Sequence, residues 1–255
     1  MAVKRVDDLE PQLANCRDYW LGWGEADRAD DGLTYYRSGL AHGQLNGVLR
    51  LRSPGEAGQA LARATSALAG VPWLWWVGPD SGPGVADRLL KQGARRIGAV
   101  PIMAVALDRV AQVAGPPELR IETVEGAGAL AEWVRTYSPS FGVGPDLVDD
   151  TLRVEAGRGD VSRTVRFIAR IGQQAVGTAL MFDSHDVAGI YVVTTVEGHR
   201  RRGIGAKLTA AALEAGRQRG LHVGTLQASA PGQSVYARMG FETVGAYQLF
   251  QPLER

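Results

Sequence analysis

The sequence has 255 residues, 45% of them hydrophobic, with 28 Lys and Arg against 27 Asp and Glu. That length is long for one compact α/β unit and comfortable for two smaller ones. The balanced charge argues against a general nucleic-acid surface, Cys16 alone excludes an intrachain disulfide or a multi-cysteine metal site, and no apolar run approaches membrane-spanning length.

The first residues meet charge at once and carry no apolar signal core, so a soluble, cytoplasmic protein is expected. From Val6 to Ala41 the text is polar with scattered aromatics, Tyr19, Trp20, Trp23, Tyr35 and Tyr36, which read as core or interface. Helices are expected on both sides of an Asp30-Asp31-Gly32 turn. Gly47 to Arg52 alternates as a half-buried strand, and Ser53-Pro-Gly-Glu56 opens a helix carrying Ala57, Ala60, Leu61, Ala64 and Leu68 on one face. Val71 to Val77 reads as a strand and Val85 to Gln92 as a helix, with Asp80 or Ser81 as its cap. Two short extended pieces follow, around Ile97 to Val100 and Ile102 to Leu107.

Ala114-Gly-Pro-Pro-Glu118 is the best linker, because adjacent prolines bar a helix interior and a central strand. The expected division is therefore 1-114 and 118-255. Beyond it, Leu119 to Val124 alternates as a strand, and Ala127 to Tyr137 forms a helix. Three strands, Thr164 to Ile171, Ala175 to Phe182 and Val187 to Val196, make an antiparallel meander with turns at Gly172-Gln-Gln174 and Asp183-Ser-His-Asp186. Helix Gly205 to Arg219 places Leu208, Ala211, Ala212 and Ala215 at core spacing. The chain closes with a strand from His222 to Gln227, a short helix from Ser234 to Met239 and a turn and strand from Gly240 to Tyr247.

The junction between the third meander strand and its helix carries the chemistry. Tyr191-Val-Val-Thr-Thr-Val-Glu-Gly-His-Arg-Arg-Arg-Gly-Ile-Gly-Ala206 runs from a β-branched segment, through arginines, into a helix whose first N–H groups are unpaired. Cations at a helix N-terminus are unfavourable by themselves and become favourable around a phosphate. A P-loop is excluded because Ile204 follows Gly203, and a dinucleotide fingerprint because Leu208 stands where its third glycine belongs. What remains, Arg200-x-x-Gly203-x-Gly205, resembles the acetyl-coenzyme A signature of the GNAT N-acetyltransferase superfamily. Tyr236-x-x-x-Gly240-Phe241 resembles the same family's closing motif. The resemblance covers about residues 118 to 252.

The resemblance implies an α/β (α+β) fold with a mixed, mostly antiparallel sheet flanked by helices, in a tandem GNAT-like arrangement. A constant offset lays Leu89 on Tyr236, Gly93 on Gly240, Gly98 on Gly245 and Val100 on Tyr247, so the first half reads either as a degenerate GNAT-like lobe without the coenzyme motif or as an unrelated accessory α/β domain. It also implies transfer of an acetyl group from acetyl-CoA to an amine through a ternary complex. Tyr236 is the expected acid toward the leaving thiolate. Val193, Thr194, Thr195 and Val196 are expected along pantetheine, with backbone N–H near Val193 facing the thioester oxygen. Arg200, Arg201, Arg202, Gly203, Ile204, Gly205 and Ala206 are expected around the phosphates, and Ser229 stands where many relatives have an asparagine. Phe141, Asp146, Asp149 and Asp150 are candidates for the acceptor wall, against a reading as solvated loop acids. No general base is preferred among Asp183, His185, Asp186 and Glu197. The four histidines do not cluster at ligand spacing, so no metal is expected. Expected partners are a small-molecule or peptide amine and, as a candidate assembly, a homodimer; neither nucleic acid nor membrane is expected. The rival reading is a noncatalytic acyl-CoA-binding sensor or scaffold.

Overall fold

The computed structural model describes residues 5–27, 32–53 and 57–253. In chain order the first half forms helix α1 (Leu9–Leu21), strands β1 (Glu25–Asp27), β2 (Leu33–Arg37) and β3 (Asn46–Leu51), helix α2 (Ala57–Ala67), strand β4 (Leu74–Val77), helix α3 (Val85–Lys91) and strand β5 (Arg95–Ala106). The second half forms strand β6 (Leu119–Thr123), helices α4 (Gly126–Phe141) and α5 (Val148–Ala156), strands β7 (Thr164–Ile171), β8 (Gln174–Ser184) and β9 (Val187–Thr195), helix α6 (Ile204–Gln218), strand β10 (Val223–Gln227), helix α7 (Ala230–Arg238) and strand β11 (Glu242–Gln251). The fold is mixed α/β with mostly antiparallel strands. No helix among the described residues is long and apolar enough to cross a membrane.

Two compact units result. The larger holds the chain up to Asn15 and Ile102–Val244; the smaller holds Cys16–Pro101 and Gly245 onward. The larger sheet has the order β5-β10-β9-β8-β7-β6 and the smaller β1-β2-β3-β4-β11. Each contains one parallel pair, β9 with β10 and β3 with β4, and each such pair is bridged by a crossover helix, α6 or α2. The offset that lays Gly93 on Gly240 also lays Ala57 on Ile204, the first residues of α2 and α6, and Arg95 on Glu242, the first residues of β5 and β11.

The compact units do not part at 114/118. The reason is an exchange of closing strands: Ile102–Ala106 of β5 pair with β10, while Gln248–Phe250 of β11 pair with β4. Each half thus completes the other half's sheet. Pro101 does not break β5 into the two pieces expected from sequence, because it lies just ahead of the ladder to β10, where a missing N–H removes none of those bonds.

Some expected elements differ. The second helix of the Val6 to Ala41 region is a strand, β2, whose Leu33 and Tyr36 are buried and whose residues pair with β3. Asp30, Asp31 and Pro54 to Glu56 lie outside the described residues. Neither Asp80 nor Ser81 caps α3, which begins from Gly84 in the left-handed region, and Asp80 is ion-paired with Arg17 instead. Residues 138 to 150 are largely helical: α4 continues through Pro139 to Phe141 and stops at Gly142, with φ 71°, and Asp149 and Asp150 occupy the first turn of α5, where the helix dipole favours acids.

The smaller unit's core sets Trp75, Leu68, Leu89 and Phe250 between α2, α3 and the sheet. Beside it Trp20 packs on Tyr36, Trp23 and Trp76, as aromatics at these spacings are expected to do. Cys16 is buried, and desolvation pushes its thiol up to about 12, which makes it an inert core residue. In the larger unit, Leu208, Ala212 and Leu213 of α6 pack on Met181, Ile190 and Leu226 of the sheet. Gly216 lets the helix approach closely, since a Cβ there would fall 2.6 Å from that of Ala188. Complete burial of a Leu-sized side chain contributes about 1.5–3 kcal/mol.

Helix α1 is tied to the hairpin of β8 and β9 by one side chain. The Asn15 amide nitrogen donates toward the carbonyls of Phe182, Ser184 and Val187 at 3.1, 3.0 and 2.9 Å, and its oxygen accepts from the Tyr191 hydroxyl at 2.7 Å. A Cβ on Gly189 would collide with that oxygen. Asn15→Ala is therefore expected to lower unfolding free energy by about 2–4 kcal/mol in urea titration, because several buried partners lose their bonds together. Tyr191→Phe, which removes one bond, should lose about 1 kcal/mol.

Candidate functional site

The site is built where one ladder stops. β10 pairs in parallel with β9 only through Val187, Ala188 and Gly189. From Ile190 to Thr195, β9 keeps β8 on one edge and has no ladder to β10 on the other. A bulge marks the departure: the register with β8 slips between Thr178 and Leu180, and Val192 has φ 52°. A β-branched residue in that region is strained by about 1–3 kcal/mol. Thr178 compensates in part, its hydroxyl donating to the Val192 carbonyl at 2.8 Å and lying 2.9 Å from the Thr194 hydroxyl.

The resulting cleft has a volume of about 1060 Å³, at the upper end of small-molecule sites, and so has room for a long ligand. Val193, Thr194 and Thr195 form one wall, and the loop and first turn of α6 close its end. Ser229, Pro231, Gly232 and Tyr236 form the opposite wall from α7 and the residue before it. α6 begins from Gly203 in the left-handed region with no side-chain cap, so its first N–H groups are left to the cleft. Arg201 also has a positive φ, 62°, and the two left-handed residues shape a turn of the kind that gathers backbone N–H groups around an anion.

Of the residues predicted from sequence, Val193, Thr194, Thr195, Arg200, Arg201, Gly203, Ile204, Gly205, Ala206, Ser229 and Tyr236 line this cleft. Val196 and Arg202 do not. The Val196 N–H is spent on the Val176 carbonyl at 2.9 Å, and Arg202 turns to Glu118 at 2.7 Å and His199 at 3.2 Å. Arg200 donates to the Thr195 carbonyl at 3.2 Å, which folds the arginine back against the strand it follows. The acceptor-wall candidates are also elsewhere: Phe141 packs on Tyr137 and Asp150 pairs with Arg153, while Ser140 is the residue of that region that reaches the cleft. Among the described residues no Asp, Glu or His lines it. Asp183 pairs with Arg219 at 3.5 Å, away from the cleft.

Tyr236 is the titratable hydroxyl of the cleft. Burial pushes its ionisation up to about 12, partly opposed by a hydrogen bond with Thr209, so the phenol stays protonated across ordinary pH. Its ring lies against Gly232, where a Cβ would be 3.0 Å from Cε2, and beside Phe241 at 5.7 Å.

Sequence reasoning missed the wall made by Gln112, Val113 and Ala114, which come from the supposed linker. That segment is packed tightly along the start of α6. A Cβ on Gly203 would lie 2.4 Å from the Ala114 carbonyl oxygen, and one on Gly115 would lie 2.7 Å from Lys207 Cγ. The glycines at 115 and 203 were the available signal.

Residues 129–241 match the model of the acetyltransferase (GNAT) family. Over this stretch the chain resembles a GNAT acetyltransferase domain. The GNAT fold extends further, for a GCN5-related N-acetyltransferase from Kribbella flavida is similar over 100% of this chain and 98% of its own, at 16% identity and TM-score 0.76. One from Sphaerobacter thermophilus is 20% identical over 80% of this chain and 71% of its own, with TM-score 0.62. A tandem GNAT protein from the clavulanic acid biosynthesis pathway is 16% identical over 97% and 96%, with TM-score 0.60. At these identities the likeness is one of fold. No curated protein matches the sequence.

The two glycines at the start of α6 should fail differently. Gly203→Val meets the Ala114 carbonyl and a φ of 82°, so it should unfold at a temperature several degrees lower. Gly205→Val has only ordinary contacts, the nearest being Thr195 Oγ1 at 3.5 Å from its Cβ, so it should melt close to the parent while binding acetyl-CoA at least about tenfold more weakly. Thermal denaturation and calorimetric titration separate the two.

Proposed function

We propose that this protein is an N-acetyltransferase that moves the acetyl group of acetyl-CoA directly to the amine of a small molecule or peptide within a ternary complex. The observation that carries the reading is the unpaired edge of β9 leading into the uncapped start of α6, with Tyr236 across the cleft. In this reading the backbone groups of Val193 to Thr195 on the edge of β9 without a β10 ladder pair with the amides of pantetheine. The N–H groups of Gly203 to Ala206, with Arg200 and Arg201, hold the pyrophosphate. A backbone N–H at Val193 faces the thioester oxygen as negative charge develops there. Tyr236 gives its proton to the departing sulfur.

The first half acts as a lobe without coenzyme. By the offset, Leu89, fully buried, stands at the position of Tyr236, and Ser53 at that of Arg200. Gly58 stands at the position of Gly205, and a Cβ on it would be 3.1 Å from the Gln92 amide nitrogen.

Among the described residues the lining supplies no carboxylate or imidazole as base, so in this reading the amine arrives neutral. Turnover is therefore expected to rise with pH up to the acceptor's own pKa. Because Tyr236 is held up to about 12, no alkaline fall should follow below about pH 10. Initial rates from pH 6 to 9.5 check this, and an alkaline limb inside that range would remove Tyr236 as the proton donor.

The deciding assay follows CoA thiol release from acetyl-CoA with a panel of lysine, spermidine, kanamycin and short peptides, beside calorimetric binding of acetyl-CoA. Turnover on one class is expected, with Tyr236→Phe lowering kcat by about 10²-fold and leaving affinity within about twofold. Tight binding with no release on any amine would favour an acyl-CoA sensor, and absence of binding would sink both readings.

A further inference from the structure

We propose that the outer edge of β5 from Arg95 to Val100 is a docking site for an acidic, extended segment of a partner protein, which adds to the sheet as a further strand. In the strand order β5 lies between β11 and β10, but β10 pairs with it only along Ile102 to Ala106. Ahead of Pro101, among the described residues, β5 therefore has β11 on one edge and no strand on the other. Every residue from Arg95 to Ala99 is exposed, and a Cβ built on Gly98 meets nothing within 4 Å.

Strand alternation divides this edge between the two faces of the sheet. The Arg95 guanidinium donates to the Gln251 side chain at 2.7 Å, so Arg95 and Ile97 share the face of Gln251. Phe250, next to Gln251, points the other way into the core with Leu89 of α3, and Arg96 is on that face. Apolar surface accompanies the cations. Ile97 is 42% exposed, Leu90 of α3 is 49% exposed, and Leu253 is 63% exposed. Leu253 lies against Gly93 in the turn between α3 and β5, where a Cβ would collide with its Cδ1. Three of the four large apolar side chains exposed among the described residues thus flank one end of one strand, a concentration that marks an interaction surface.

Charge selects the partner. Between Arg88 and Ala106 the sequence has four cations, Arg88, Lys91, Arg95 and Arg96, and no acid, in a chain whose charge is nearly balanced as a whole. Arginines and a proline on a sheet edge oppose pairing with a second copy, which would bring the two sets of cations together. An acidic segment meets no such repulsion. Its backbone pairs with the open edge while alternate side chains set acids beside the arginines and an apolar group on Ile97. The segment is short, since Pro101 offers no N–H and β10 takes over at Ile102.

The test uses the full chain and fluorescence anisotropy with a labelled set of peptides Glu-x-Glu-x-Glu-x, where x is Val, Leu, Ile or Phe, beside the same set with Lys for Glu and the acidic set with its amides N-methylated. The best acidic peptide should bind saturably and at least about tenfold more tightly than its lysine and N-methylated counterparts. Arg95→Glu/Arg96→Glu and, separately, Ile97→Asp should each weaken it at least about tenfold. Both variants should keep the parental melting temperature and affinity for acetyl-CoA, because the altered side chains are exposed. No saturable binding by any acidic peptide, equal affinity for the lysine or N-methylated form, or parental affinity in either variant would overturn the proposal. Sedimentation equilibrium adds a further check: self-association that Ile97→Asp abolishes would make a second copy the occupant and overturn the peptide site.

Discussion

Past Gly189, β9 has a ladder on one side only, and a strand inside a sheet cannot leave its amides dry and unpaired without a penalty of about 1–3 kcal/mol for each buried group. The opening therefore has to hold solvent or a ligand able to replace a neighbouring strand. Much of the larger unit follows from keeping it open. The bulge at Val192 turns β9 away from β10, the Thr178 hydroxyl satisfies the carbonyl that the bulge displaces, and α6 starts at the mouth without a cap. Asn15 anchors the opposite end of the same hairpin, where the strands must stay together.

The division of labour within the cleft follows from polarity. Its helix end concentrates arginine side chains and unpaired N–H groups, while its Tyr236 side is formed by an aromatic ring against glycine. The Tyr236 phenol keeps its proton across ordinary pH because desolvation raises its ionisation.

Much of this was legible in the sequence because it is local. The meander, α6 and the glycine motif announce themselves through period-two and helical patterning and through residues that only a tight turn requires, and β7 has the expected bounds, Thr164–Ile171. The motif at 200 to 205 marks the helix end of the cleft, and Tyr236 of the motif at 236 to 241 lines it. What stayed hidden depends on partners far along the chain. Arg202 reads like its neighbours until Glu118 comes within reach, and the prolines at 116 and 117 read as a linker although the residues just before them pack against α6. The β2 strand was missed because its buried residues, Leu33, Thr34 and Tyr36, do not alternate strictly and fit a helical spacing as well as an extended one.

The exchange of closing strands has a consequence for how the chain reaches its fold. The edge at β10 is filled by residues more than a hundred positions earlier, and β4 waits for residues near the opposite terminus. Neither sheet can finish as the ribosome delivers its own half, so the last event is a long-range closure that both halves share, of the kind that slows folding as sequence separation grows. Loss of coenzyme binding in one lobe would leave that obligation untouched. Whatever chemistry either half carries, each is needed as the donor of a strand, and selection on foldability alone would keep both.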